Sequence, residues 1–240
     1  MDEVWEAQAD WWQARFTRGV DAEYTQQILP LLAERLAGAE VVVDVGCGEG
    51  QVARPAAAAG AVVVGVDGSA AQLAEAARRG GGVRYVRGSA TGVPLRDAAA
   101  DAVVLCLVVE HVGDLGALVD EVARVVRPGG TALVVMNHPL LHSPDSCWVD
   151  DWGPDGDAEC YWRVGPYLPE AVLDEEVDPG VVVRFWHRPL SAYVNAFSAR
   201  DLLVAEMVEP SPPEDFQVVL SDPAMAATIP RLLLLRLTKV

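Results

Sequence analysis

Glu40-Val41-Val42-Val43-Asp44-Val45-Gly46-Cys47-Gly48-Glu49-Gly50 is the stretch that decides the fold. A short valine-rich strand carries Asp44 near its end, and three alternating glycines then crowd a tight turn into a helix. With no Cβ in the way, such a turn lets backbone N–H groups come unusually close to a bound nucleoside. A second apolar strand, Ala61 to Val66, runs into Asp67 and Gly68. An acidic residue about 20 positions past the turn is placed to accept hydrogen bonds from a ribose. Together they point to an adenosine-containing cofactor.

Working outward, the alternation continues. A helix is expected from Gly50 to Ala59, and another after Ser69, a good N-cap with Gln72 completing a capping box and Gly80-Gly81-Gly82 as the stop. Val83 to Arg87 reads as a third strand, and Ala102 to Val108, apolar throughout, as a buried fourth. Leu115, Leu118, Val119, Val122, Val125 and Val126 line one face of the next helix, which Pro128-Gly129-Gly130 closes before a fifth strand from Thr131 to Met136. Leu202 to Glu209 and Arg231 to Val240 supply two last strands. Strands alternating with helices imply an α/β fold: a doubly wound, seven-stranded, mostly parallel sheet with helices on both faces.

Two regions stand outside that pattern. Trp5, Trp12 and Phe16 recur at helical spacing near the start, and a helix from about Asp21 to Leu36 contains Pro30, which should kink or split it. From His138 to Pro189 regular patterning stops, and this stretch holds four of the seven tryptophans, Trp148, Trp152, Trp162 and Trp186. The expected organisation is one domain over 1–240. It has an N-terminal helical lid (1–38), a cofactor-binding core (39–137), an irregular aromatic cap inserted after strand five (138–190), and a C-terminal helix with a strand hairpin (191–240). The lid and cap are expected to close together over the site, with Trp12 and Trp162 as the contact, because aromatic patches pair over large areas.

The glycine spacing discriminates between cofactors. The dinucleotide fingerprint is G-x-G-x-x-G, whereas this chain has G-x-G-x-G with Gln51 at the last glycine position, which argues against a nicotinamide or flavin dinucleotide. Asp44 to Gly50 instead resembles the first motif of class I S-adenosylmethionine-dependent methyltransferases. Val86 to Leu95, Asp101 to Val112 and Val125 to Gly130 are similar to that family's later motifs, in order, so the likeness covers residues 40–137. It is strongest to the small-molecule branch related to quinone-biosynthesis enzymes and to uncharacterised, actinobacterial-like members. The resemblance implies S-adenosylmethionine as cofactor, with S-adenosylhomocysteine as product. It places Gly46, Cys47 and Gly48 against the methionine part, with Asp44 and Gly50 in the same turn. Asp67 and Gly68 fall at the ribose, Ser89 and Ala90 near the adenine, and the Leu107 backbone beside the sulfonium. Many members carry Asp where Ser89 stands. The asparagine-proline-proline-aromatic motif used on nucleic-acid amino groups is absent, since the position reads Leu105-Cys106-Leu107-Val108.

Charge speaks to the partner. The formal net charge is −17 and Lys239 is the only lysine, so the basic footprint that nucleic-acid affinity depends on is missing. A small organic substrate is expected, with no nucleic acid or membrane partner. No secretory segment or membrane span is visible, so a cytoplasmic location is expected. No metal-ligand spacing is found. The histidines supply candidate bases: His138 first, because it follows strand five on the rim where ligands bind, then His187 beside the insert. His111, Trp12, Trp162 and Tyr193 are candidate substrate contacts. Two other classes remain open: a protein that binds S-adenosylmethionine without transferring methyl groups, and a nicotinamide-dependent oxidoreductase.

Overall fold

The computed structural model describes residues 2–17, 21–152, 158–214 and 223–240. The stretches 18–20, 153–157 and 215–222, within the expected N-terminal, insert and C-terminal parts, lie outside the described residues. Strands β1 (Val41–Val45), β2 (Val62–Asp67), β3 (Arg84–Arg87), β4 (Ala100–Cys106) and β5 (Val126–Asn137) run parallel. With β10 (Leu202–Val208) and β11 (Leu232–Lys239) they make one seven-stranded sheet, ordered β10-β11-β5-β4-β1-β2-β3. Only β11 runs against its neighbours.

The apolar strands divide their side chains between two cores by the two-residue period of a strand. Val43 and Val45 of β1, with Val103 and Leu105 of β4, face a core built with α6 (Leu115–Val125) and α7 (Leu190–Ser198), which contribute Leu118, Val119 and Phe197. Val42, Ala102 and Val104 face the other layer, formed by α3 (Leu29–Leu36) and α4 (Ala53–Ala58). Burial on both faces is why these strands read as unbroken apolar runs rather than alternating ones.

Pro30 has the expected disruptive effect, by a particular route. A π-helical turn, Tyr24–Ile28, leads into α3 with Pro30 in its first turn, where a missing N–H is tolerated. The second helix, α5 (Ala70–Arg79), is capped by Ser69, whose hydroxyl accepts the Gln72 N–H at 3.2 Å. The reciprocal half of the capping box is not formed. The Gln72 side chain instead accepts from Gln13 at 3.0 Å, and Glu6 takes the Ser69 hydroxyl at 2.7 Å. Those bonds seat α1 (Asp2–Ala7) and α2 (Ala9–Arg15) against the start of α5.

The insert is more regular than its sequence implies. Antiparallel pairs β6 (Cys147–Trp152) with β7 (Ala158–Arg163), and β8 (Ala171–Asp178) with β9 (Val181–His187), occupy most of it. In β9 the alternation is present, with Val183, Phe185 and His187 buried and Val182 and Arg184 outward. Val182 and Trp186 on the outward face hide that pattern in the sequence. Asp178-Pro179-Gly180, a turn sequence, joins β8 to β9, and Gly180 sits at φ +75°.

Candidate functional site

At the point where the sheet order turns back on itself, beyond the carboxyl ends of β1, β2 and β4, lies a cleft. This is where open α/β sheets bind ligands. Its floor is the glycine turn. Gly46 and Gly48 hold φ of +74° and +52°, values that side chains rarely adopt. A Cβ on Gly46 would run into the methyls of Val108, whereas one on Gly48 would meet nothing within 4 Å. Asp67 staples this turn to the next: it accepts the Gly48 N–H and the Ser69 N–H, both at 2.8 Å.

Acids dominate the charge of the floor. Asp44 is 1% exposed, and its Oδ2 has no hydrogen-bond partner among the described residues. Burial, reinforced by the nearby Asp67 carboxylate, raises its pKa to about 7. A bound cation would draw it back to the ionised form. Glu49 also lines the cleft, but Arg54 at 2.8 Å and Arg79 at 2.6 Å neutralise it. Burial pushes the Cys47 and Cys106 thiols well up, so neither is a nucleophile. Among the described residues, no Lys or Arg lines the cleft.

The opposite wall is aromatic. Trp5, Trp12, Tyr24 and His111 line it, with Trp5 packed edge-on against both Trp12 (5.6 Å) and His111 (4.9 Å). The N-terminal helices reach this position through polar anchors. Gln51 donates to the Phe16 carbonyl at 2.9 Å, and Asp178 in the β8–β9 turn accepts from Trp11 at 3.0 Å and Arg15 at 2.6 Å. The N-terminal segment and the insert therefore do meet, through Asp178 rather than through Trp12 and Trp162. Trp162 packs on Trp148 at 5.5 Å and donates to the Leu140 carbonyl, away from Trp12.

The cleft brings together Asp44, Gly46, Cys47, Gly48, Asp67, Gly68, Ala90, Leu107, Trp12 and His111 of the residues singled out in the sequence. Leu107 has φ +55°, a strained value for leucine, with its N–H on Val135 O at 2.7 Å. The others lie elsewhere. Gly50 packs against Tyr85 and Arg54, and the Ser89 hydroxyl is turned to Thr91 at 3.0 Å. Tyr193 is buried and bonds the Trp186 carbonyl. Neither expected base lines the cleft. Nδ1 of His138 accepts the Leu140 N–H (3.1 Å) and its Nε2 bonds Glu209 (2.9 Å), so both ring nitrogens are occupied. His187 bonds the Tyr167 carbonyl at 2.7 Å. Position was the only signal for these two, the rim for His138 and the insert for His187, and it does not specify which way a ring turns.

Sequence reasoning missed Tyr24, Gln72 and Val108 as cleft residues, since their types and spacing carry no chemical signature. Trp5 shared the aromatic spacing of Trp12 and could have been taken with it. Among the described residues, no group of His, Cys, Asp and Glu is arranged to hold a metal ion, and no helix is long and apolar enough to cross a membrane.

Residues 43–134 match the family model described as "Methyltransferase domain". A probable S-adenosylmethionine-dependent methyltransferase of Mycolicibacterium smegmatis is 39% identical over 113 residues, which cover 47% of this chain and 44% of that protein. The chain thus spans about half the length, or less, of the curated relatives it matches. A crystal structure of an S-adenosylmethionine-dependent methyltransferase from Mesorhizobium loti superposes with a TM-score of 0.73 at 26% identity, covering 87% of this chain and 96% of that one. One from Listeria monocytogenes, at 22% identity, superposes with a TM-score of 0.76 over 93% of this chain and 100% of that one.

Proposed function

Because the chain carries a class I S-adenosylmethionine-dependent methyltransferase domain, we propose that the whole protein transfers a methyl group from S-adenosylmethionine to a small organic molecule. One observation carries this reading: the glycine turn, Asp44 and Asp67 share a single cleft with an aromatic wall from a different part of the chain. The polar floor suits a cationic nucleoside, and the aromatic wall suits a second molecule. Asp67 would hold the ribose hydroxyls, the Gly46–Gly48 backbone the amino-acid part, and Asp44, a buried carboxyl with an unpartnered oxygen, the positive charge.

Bound S-adenosylmethionine supplies a methyl group already activated on a positively charged sulfur. The chain's own task is then to orient the acceptor molecule and to exclude water. Orientation of two reactants is worth about 7–11 kcal/mol of barrier, and a dry site strengthens the remaining electrostatics. Leu107 and Val108, together with Trp5 and Trp12, supply apolar surface to the cleft lining.

A small acceptor is supported by the lining of the cleft, which is mostly apolar and aromatic with a few polar groups. The net charge of −17 and the absence of a lining cation among the described residues weigh against polyanions. The test is to incubate the purified chain with methyl-labelled S-adenosylmethionine and either a small-metabolite extract, RNA or DNA. Label in the small-metabolite fraction is the expected outcome. Label in nucleic acid would refute the substrate class, and cofactor binding with no transfer to any fraction would favour a non-methylating role.

A further inference from the structure

We propose that the protein has a second binding site, separate from the cofactor cleft, and that this site takes a protonated organic amine. The inference stands on its own geometry and does not rest on the methyl-transfer reading.

The end of β5 opens onto a second cavity of about 470 Å³, room for an organic molecule rather than a few waters. Asn137 at the end of β5, His142, Trp148 of β6, Trp162 of β7, Glu175 of β8 and Arg231 line it. Among the described residues, none lines both this cavity and the cofactor cleft. Rings stand between the two spaces. His142 stacks on Phe185 at 4.3 Å, and Phe185 packs at 4.7 Å against His111, which lines the cleft.

The cavity offers hydrogen-bond acceptors. Asn137 donates its side-chain amide to Glu110 Oε1 at 3.1 Å, which turns its own oxygen the other way. Glu175 meets His142 Nδ1 through Oε1 at 3.3 Å, leaving Oε2 without a role. Among the described residues neither Asn137 Oδ1 nor Glu175 Oε2 has a partner, and neither is sealed from solvent. The Arg231 guanidinium, by contrast, is engaged by Glu23 at 2.7 Å, and the Trp162 N–H by the Leu140 carbonyl at 3.4 Å.

Charge and ring surface then select the ligand. Among the described residues, the lining and its direct side-chain partners hold three carboxyl groups, Glu175, Glu23 and Glu110, against one guanidinium. That balance attracts a cation and repels an anion. Trp148 and Trp162 stand 5.5 Å apart at 79° to each other, so a cation in the angle between them meets ring faces, which attract it. Leu141 and Ile229 in the lining suit an apolar body behind the charge. A metal ion is a poorer fit, because among the described residues no group of His, Cys, Asp and Glu is arranged to hold one. An ammonium group on an apolar skeleton satisfies all of these features together.

The test uses phenethylamine, phenylethanol and phenylpropionate, which share a ring and a two-carbon arm and differ in charge. Calorimetry on the full chain at neutral pH should show saturable binding of phenethylamine, with the alcohol and the acid at least about tenfold weaker. Glu175→Gln keeps the side chain's shape and removes its charge, and should weaken the amine about tenfold. Trp162→Leu should weaken it about 2–30-fold. In ¹H–¹⁵N spectra of the wild type, phenethylamine should shift the indole signals of Trp148 and Trp162 and leave those of Trp5 and Trp12 in place. No binding of the amine at millimolar concentration, equal binding of the acid, or an unimpaired Glu175→Gln overturns the proposal. Shifts at Trp5 and Trp12 in place of Trp148 and Trp162 overturn it as well. A separate titration with S-adenosylhomocysteine keeps the two readings apart: failure to bind it sinks methyl transfer and leaves the amine site standing.

Discussion

Replacing Asp67 by Asn tests the binding floor with the least change of shape. In the ligand-free protein the two carboxylate oxygens serve two backbone donors, Gly48 N–H and Ser69 N–H, each at 2.8 Å. Asparagine has one oxygen, so one of these donors would face an NH₂ group instead. Hydrogen bonds to a charged group are worth about 1.5–3 kcal/mol each, so the turn loses about that much of its support. The ribose hydroxyls would lose the same charged acceptor, and a combined loss near 3 kcal/mol in binding corresponds to about 100-fold in affinity. Calorimetric titration with S-adenosylhomocysteine measures this loss, and thermal melts of the ligand-free variant isolate the damage to the turn. If melting falls while affinity stays within about threefold of wild type, Asp67 only braces the loop and its ribose role is refuted.

Four further outcomes are expected. Asp44 has a native pKa near 7, above the ordinary 3.8, so its contribution to ligand-free stability is fully present below about pH 4. That contribution is lost as pH rises through 7, and urea melts of wild type and Asp44→Asn should show the dependence only in the former. A cationic cofactor ionises Asp44, so affinity should strengthen by up to about tenfold per unit as pH rises toward 7, with proton release visible when calorimetry is repeated in buffers of different ionisation enthalpy. Gly46→Ala combines a φ of +74° with collision against Val108, so chemical denaturation should show a loss of about 1–3 kcal/mol together with impaired cofactor binding. Asp178→Ala releases Trp11 and Arg15 from the β8–β9 turn. It should leave Tm nearly unchanged yet make the N-terminal helices more sensitive to proteolysis and lower turnover, and unchanged proteolysis would show that the anchor is dispensable.

The sheet and the cofactor floor were legible in the sequence because their signals are local. A valine-rich run ending in glycines specifies strand and turn within about ten residues, and Asp67 follows at a spacing set by one helix. The five parallel strands, Ser69 as a cap and the interruption at Pro30 all rest on neighbouring residues in the same way. β8 and β9 escaped because apolar residues occupy both faces of β9, which erases the alternation that marks a half-buried strand.

The aromatic wall was decided only by tertiary structure. Trp5 and His111 are 106 positions apart in the chain, and their contact depends on how two short helices dock onto α5 through Glu6–Ser69 and Gln13–Gln72. Likewise, composition can nominate four histidines but cannot say which ring lines the cleft and which is turned to other partners. That depends on the carbonyl of Arg184 behind His111 and on the Leu140 N–H and Glu209 around His138. Hydrogen-bond direction is a property of neighbours brought together by folding, whereas turn and strand propensity belong to the chain itself.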